Sequence, residues 1–202
     1  MNDLRKYYSL SWEEVLYGYA SGIFPMGEDK DSINWFEANP RAIVPTELPT
    51  SKLNITRSLS QILKKKQFQI KIDYAFKEVI RLCARRRSTW INNIIIDTYE
   101  DLFCKGFAHS VEAWNGKILV GGLYGVALRG AFFGESMFHL ESNASKVCVV
   151  RLYEILKQNN YILFDIQMMT PVFRTFGAIQ ITKRAYVEIL KRAMKEERKF
   201  KI

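Results

Sequence analysis

The stretch GAFFGESMFHLESNASK, residues 130–146, decides how the chain folds. Read as a turn followed by a strand, it puts Phe132, Gly134, Ser136 and Phe138 on one face and Phe133, Glu135 and Met137 on the other. At its end, Ser142 or Asn143 is placed to cap a helix. One residue breaks the apolar pattern. A carboxylate between Phe133 and Met137 is costly to bury unless a cation meets it. Two readings stand for Glu135: a core acid paired with a nearby arginine, or an acid that receives a positively charged substrate. A second acid, Asp165, stands in an equally apolar strand downstream, and two acids on neighbouring strands of one sheet call for a cation between them.

Working outward, turns at Asn115-Gly116 and Arg129-Gly130 divide the chain into an antiparallel meander with strands at 107–114, 117–128 and 131–138. Asn-Gly is the favoured pair for a type I′ hairpin. Beyond residue 143 a helix runs to about Gln158, with Cys148, Leu152, Ile155 and Leu156 on its inner stripe. A strand at 161–167 follows, then a short helix between Thr170 and Gly177, an edge strand at 179–181 and a last helix capped by Thr182. That helix turns Tyr186, Ile189, Leu190, Ala193 and Met194 inward. The charged tail, 195–202, reads as a frayed end. Upstream, Ser11 and Glu14 form a capping box for a helix that Gly22 closes. Strands are expected at 33–36 and 42–44, before Pro45 and Pro49 mark a boundary. Asn54 or Thr56 caps a helix through Lys66, a strand covers 68–72, and Asp73 caps a helix whose stripe is Phe76, Val79, Ile80 and Cys83. A further helix spans 93–105. The pattern predicts an α+β chain: a small α+β unit at 1–47 and, at 48–202, a mixed sheet covered by helices.

With 48% hydrophobic residues the chain can bury a real core. A net charge of +9 suits a polyanion such as nucleic acid or a membrane headgroup, and equally a basic solvated surface. Lys64, Lys65 and Lys66, and Arg85, Arg86 and Arg87, carry six of those charges in two short runs, as a solvated face or as phosphate contacts. No apolar run reaches the ~18 residues of a membrane span, and the first residues lack the apolar core of a signal peptide. Cys83, Cys104 and Cys148 are far apart and form no CxxC pair, which points to reduced thiols and a cytoplasmic protein. No His, Cys, Asp and Glu cluster has metal-ligand spacing. No GxSxG elbow occurs. The glycines of LVGGLYGV, 119–126, match neither nucleotide fingerprint and read as a thinned strand that a ligand or another chain can approach. His109, on a meander strand, reads as a core histidine.

Asp165 and Gln167 stand two apart, so in a strand they lie side by side, about 7 Å along the backbone. Such a pair either closes a structural network at the sheet end or binds and orients an amine. Trp35, Phe36, Trp90, Leu123, Phe132 and Phe164 are core residues or the wall of an apolar pocket.

The segments GIFPM (22–26), WFEANPR (35–41), TWI (89–91), AHSVEAW (108–114), LVGGLYGV (119–126), FFGESMF (132–138), NASK (143–146), DIQ (165–167) and FGA (176–178) together resemble the leucyl/phenylalanyl-tRNA–protein transferases. That resemblance implies a cytoplasmic, monomeric bacterial aminoacyltransferase. It would move Leu or Phe, with Met as a further candidate, from aminoacyl-tRNA to proteins beginning with Arg or Lys, creating an N-end rule degradation signal. The implied fold is a small N-terminal domain on a domain like the Gcn5-related acetyltransferases. By position, Asp165 and Gln167 match the catalytic pair, and Glu135 the acid that holds the acceptor's N-terminus. Trp90, Leu123, Phe132, Leu152 and Phe164, with Trp35 and Phe36 nearby, match the aminoacyl side-chain pocket. Arg57, Lys64 and Lys65 match positions that meet the tRNA acceptor stem. The chain departs from the pattern at Phe36 (usually Trp), Ile166 (usually Cys) and Val172 (often His). Aminolysis of an aminoacyl ester is downhill, so neither cofactor nor metal is expected. Two rivals weigh less. An acetyl-CoA-dependent N-acetyltransferase needs a glycine-bearing loop, and residues 139–143 contain no glycine. An inactive RNA-binding relative would not need to retain Glu135, Asp165 and Gln167.

Overall fold

The computed structural model describes residues 7–47, 52–86 and 89–202. Its first helix, α1 (Trp12–Ser21), begins at the expected capping box: Ser11 Oγ accepts from the Glu14 amide and Glu14 accepts from the Ser11 amide. Gly22 ends it at φ +88, a conformation that favours glycine. The strands β1 (Phe24–Gly27) and β2 (Ile33–Phe36) form a separate antiparallel pair. The remaining elements are β3 (Arg41–Pro45), α2 (Arg57–Lys65), β4 (Gln69–Ile72), α3 (Phe76–Ala84), α4 (Asn93–Cys104), β5 (Ala108–Asn115), β6 (Ile118–Leu128), β7 (Ala131–His139), α5 (Ala144–Gln158), β8 (Leu163–Asp165), α6 (Pro171–Thr175), β9 (Ile179–Ile181) and α7 (Lys183–Ala193).

Among the described residues seven strands make one mixed sheet in the order β4-β5-β6-β7-β8-β3-β9, with every pair antiparallel except β7 and β8. Helices cover both faces. On one face Tyr19 of α1, Val79 of α3, Tyr99 of α4 and Leu190 of α7 pack with Phe133. On the other, Leu59 of α2 and Cys148, Leu152 and Leu156 of α5 pack with Phe132 and Phe164. The strand expected at 42–44, grouped by sequence with the small N-terminal unit, is β3 and lies inside the large sheet between β8 and β9.

Several local expectations shift. The hairpin turn is Gly116-Lys117, because Asn115 already pairs with Ile118. Of the two turn residues only Gly116 has positive φ (+58), whereas a type I′ turn needs it at both. Asp73 does not cap α3; it accepts from the Ser110 amide and pairs with His109, while buried Glu112 accepts from the Ala75 amide at the helix start. Asn143 precedes α5 in the left-handed region (φ +67) and makes no side-chain cap bond. Gly121 admits the chain's own helix, since a Cβ there would stand 2.5 Å from the Cβ of Ala144. The C-terminal tail is docked. Phe200 stacks on His109 (4.1 Å between centroids) and on Phe132 (5.7 Å), and the Lys201 carbonyl accepts from Asn159.

The feature that positions the site is a fork. β7 and β8 pair only from Ala131–Phe133 to Leu163–Asp165. Beyond that point the β8 chain stays with β3, through Ile166 N–H to Ala42 O and Ala42 N–H to Gln167 O. β7 instead follows β6, with a register shift between Tyr124 and Gly125 that leaves Glu135 as the extra, bulged residue.

Candidate functional site

The fork opens into a cavity of about 990 Å³. Its walls combine the Gly134–Leu140 edge of β7, the chain after β8, the start of α5 and the segment after α3. Trp90, Leu123, Leu152 and Phe164 supply an apolar side, and Glu135 and Gln167 a polar one. Phe132 and Glu135 lie on opposite faces of the sheet, but alternation does not hold past the bulge at Glu135: Met137 packs with Phe132 and Phe138 with Phe133, the reverse of the expected faces. The cavity reaches both faces because it wraps the end of the β7–β8 pairing.

Among the described residues no arginine hydrogen-bonds Glu135. Tyr19 donates to its Oε1 at 2.5 Å, Tyr99 donates to its Oε2 at 3.2 Å, and Gln167 Nε2 donates to its Oε1 at 3.1 Å. Tyr19 and Tyr99 also touch through their hydroxyls at 2.5 Å. The two hydroxyls and the two carboxyl oxygens thus share three contacts but only two phenolic hydrogens. A proton on Glu135 completes the set. The electrostatics agree: burial outweighs the two tyrosine hydrogen bonds and pushes the Glu135 carboxyl up to about 7. Burial also raises Tyr19 and Tyr99 well above the usual phenol range, with the Glu135 charge adding to it.

Asp165 is the acid that holds the arginine. Arg41 Nε donates to both of its oxygens (3.0 and 3.1 Å), Arg41 Nη2 to Oδ2 at 2.7 Å, and Tyr186 to Oδ2 at 2.7 Å. Arg41 and Asp165 are 1% and 0% exposed, so this pair stands behind the cavity wall. The guanidinium lies between the rings of Phe24 and Tyr186, at 4.9 and 4.5 Å, and donates to the Gly22 carbonyl. Asp165 therefore needs no substrate cation to neutralise it. Its link to the cavity is Oδ1, which accepts the Gln167 amide at 2.8 Å. Gln167 has φ +54, outside β8, so the expected side-by-side strand pair is replaced by an acid that fixes the backbone of a turned amide. With its NH₂ on Glu135, Gln167 keeps its side-chain oxygen, Oε1, without a partner among the described residues.

Of the residues singled out in the sequence, the structure brings Glu135, Gln167, Trp90, Leu123, Leu152 and Phe164 to one cavity. Phe132 is fully buried one layer below, its ring edge-on to Phe164 at 5.9 Å and covered by Phe200. Trp35 packs against α1 at Gly18, and Phe36 stacks on Phe24 at 6.5 Å; neither reaches the wall. Arg57, Lys64 and Lys65 are exposed on α2, which leans on α5 outside the cavity. Arg41, Tyr19, Tyr99 and Tyr186 were missed. The available signal was the need of two buried acids for donors, with tyrosines on the inner stripes of α1, α4 and α7.

Two family models match the chain: that of leucyl/phenylalanyl-tRNA protein transferase over residues 47–191, and that of its N-terminal domain over residues 8–39. The protein named leucyl/phenylalanyl-tRNA–protein transferase in Herpetosiphon aurantiacus is 43% identical over 185 residues, covering 92% of this chain and 95% of that one. Its namesake in Rubrobacter xylanophilus is 42% identical over 192 residues, covering 95% and 98%. Among solved structures, that of L-PGS from Bacillus licheniformis matches at a TM-score of 0.43 with 10% identity, covering 93% of this chain and 64% of that one. A likeness that distant decides nothing about the site.

Proposed function

The chain belongs to the leucyl/phenylalanyl-tRNA–protein transferase family, and on that footing we propose how its fork cavity carries out the transfer. The protein is an aminoacyltransferase: it takes an aminoacyl group from aminoacyl-tRNA and joins it to a protein. In our reading the Leu or Phe side chain enters between Trp90, Leu123, Leu152 and Phe164. The acceptor protein begins with Arg or Lys, and its N-terminal amine meets Glu135 and the side-chain oxygen, Oε1, of Gln167. Single observations seldom carry such a reading, but one does here: an acid raised to about 7 stands in the same cavity as an apolar pocket.

The chemistry follows from that value. A free α-amine titrates near 7.7–8.0, so a carboxylate that titrates about a unit lower is matched to take its proton near neutral pH. The amine nitrogen then attacks the ester carbonyl. The new C–N bond forms, the C–O bond to the terminal ribose breaks, and the second proton that the nitrogen sheds goes to the leaving ribose oxygen. Held contact between ester and amine supplies most of the acceleration. Asp165 is a positioning residue, acting through the Gln167 amide, and Gln167 orients the amine. Arg57, Lys64 and Lys65 grip the acceptor stem of the tRNA from outside the cavity. The three free thiols support a cytoplasmic setting, where the product is an N-end rule signal.

The test is transfer of labelled Leu and Phe from charged tRNA to peptides that differ only in their first residue. Arg- and Lys-starting peptides are expected to be labelled and a Gly-starting one not; equal labelling of all three overturns the acceptor assignment.

A further inference from the structure

Behind the apolar wall of the cavity stands a second layer of rings. Phe164, a wall residue, meets the fully buried Phe132 edge-on at 5.9 Å. The ring of Phe132 lies against the main chain of β6: a Cβ at Gly125 would stand 2.5 Å from its Cε1 and 2.7 Å from its Cζ. It cannot sink further into the sheet. Its neighbour Phe200 belongs to neither the sheet nor a helix; it comes from the tail after α7 and stacks on Phe132 at 5.7 Å and 29°. That placement is anchored from several sides. Residues 195–202 read KEERKFKI, and Phe200 is their one aromatic, half-buried between exposed Lys199 and Lys201. His109 gives it a flat seat, 4.1 Å away and 17° from parallel, and the His109 Nδ1 meets Asp73 Oδ2 at 2.7 Å, which fixes the imidazole plane. Asn159, at the end of α5, donates to the Lys201 carbonyl at 2.8 Å and clips the adjoining main chain. A continuous chain of contacts therefore runs from Asp73 through His109, Phe200 and Phe132 to Phe164, and ends at the cavity.

We infer that Phe200 sets the depth of the aminoacyl pocket by holding Phe132 against Phe164, so that the tail helps to choose between Leu and Phe. This rests on reading the Phe164 side of the cavity as the seat of the aminoacyl side chain. Phe200 does not line the cavity and is a positioning residue, acting through two other rings. Close packing transmits such support, because an interior has little free volume to absorb a displacement. A ring removed from behind Phe132 leaves a void that its neighbours fill only in part, and Phe132 and then Phe164 relax toward it. Two substrates feel a receding wall unequally. The isobutyl group of Leu loses contacts as the wall retreats, whereas the larger benzyl group of Phe follows it. A single methylene in an apolar pocket is worth about 10–200-fold in discrimination, so even a partial retreat moves the balance several-fold toward Phe.

Steady-state transfer of Leu and of Phe from their charged tRNAs to one Arg-starting peptide tests this role, using wild type, Phe200→Ala, Phe200→Leu, Ile202→Ala and Trp90→Ala. Phe200→Ala lowers the ratio of kcat/KM for Leu-tRNA to that for Phe-tRNA at least about fivefold and leaves the peptide KM unchanged. Phe200→Leu restores most of the lost volume and brings the ratio back to within about twofold of wild type. Ile202→Ala, in the same tail but 74% exposed, moves the ratio less than about twofold. Trp90→Ala alters the wall itself and shifts the ratio, which shows that the assay reads the pocket. Three results overturn the inference. A shift with Trp90→Ala and none with Phe200→Ala separates the tail from the pocket and leaves the pocket reading standing. An equal loss with both tRNAs in Phe200→Ala, accompanied by a lowered Tm, makes Phe200 a support of the fold alone. A ratio as low in Phe200→Leu as in Phe200→Ala shows that the volume behind Phe132 is not what is read. An unmoved ratio in Trp90→Ala as well instead removes the pocket reading beneath it.

Discussion

Replacing Glu135 by Gln separates the acid's electrostatic cost from its shape. An ordinary glutamate carboxyl at 4.5 is pushed up to about 7 in this cavity. Ionising it in the folded protein is therefore about 3 kcal/mol harder than in the unfolded chain. The sign follows from proton counting. Between pH 4.5 and 7 the folded protein keeps a proton that the unfolded chain has lost, so stability falls as pH rises through that window and levels off above it. Gln cannot ionise and keeps the same outline, so Glu135→Gln lacks this component of the slope. The two proteins should be about equally stable near pH 4.5 and diverge to about 3 kcal/mol in favour of the variant by pH 8. For a domain of this size that is a Tm difference of roughly 6–12 °C at the alkaline end. Urea denaturation and thermal melts across pH 4.5 to 8.5 measure it directly. Parallel pH profiles would refute the reasoning, since they would mean that Glu135 is ionised at little cost. The more stable variant should also be the poorer enzyme, losing at least about tenfold in kcat/KM for an Arg-starting peptide because a charged hydrogen-bond partner is gone.

Asp165→Ala should cost about 3–5 kcal/mol, because it leaves the buried Arg41 guanidinium without its counter-ion. The double change Arg41→Met with Asp165→Leu should recover most of that loss in urea denaturation but not transfer activity; recovery of both would show that Asp165 serves only the fold. Lys64→Ala with Lys65→Ala should weaken Phe-tRNA binding and flatten its dependence on salt, measured by filter binding from about 50 to 200 mM salt. An unchanged slope would move the tRNA contact away from α2.

The elements were largely legible because local rules set them. The capping box at Ser11 and Glu14, Thr56 and Thr182 as N-caps, and the stripe Phe76, Val79, Ile80 and Cys83 all stand where the sequence puts them. What failed was set by distant partners. Asp73 looks like a cap in isolation, but His109 and the Ser110 amide claim it. The tail looks frayed from its charge, yet Phe200 finds the rings of His109 and Phe132. The site follows the same division. Glu135 stood out as an acid among aromatics, but its donors, Tyr19 and Tyr99, lie 116 and 36 residues away along the chain. Nothing local says that Asp165, and not Glu135, takes the arginine, because Arg41 reaches it across 124 residues. The fork is likewise invisible to periodicity, since it depends on where one parallel pairing stops.

The central claim is that the fork between β7 and β8 is where the aminoacyl ester meets the amine. The most direct measurement is a crystal structure with a non-hydrolysable, amide-linked phenylalanyl-adenosine. Its benzyl group should lie among Trp90, Leu123, Leu152 and Phe164, with its carbonyl facing Gln167 and Glu135. A benzyl group outside that cavity, or a carbonyl turned away from Gln167 and Glu135, would contradict the account.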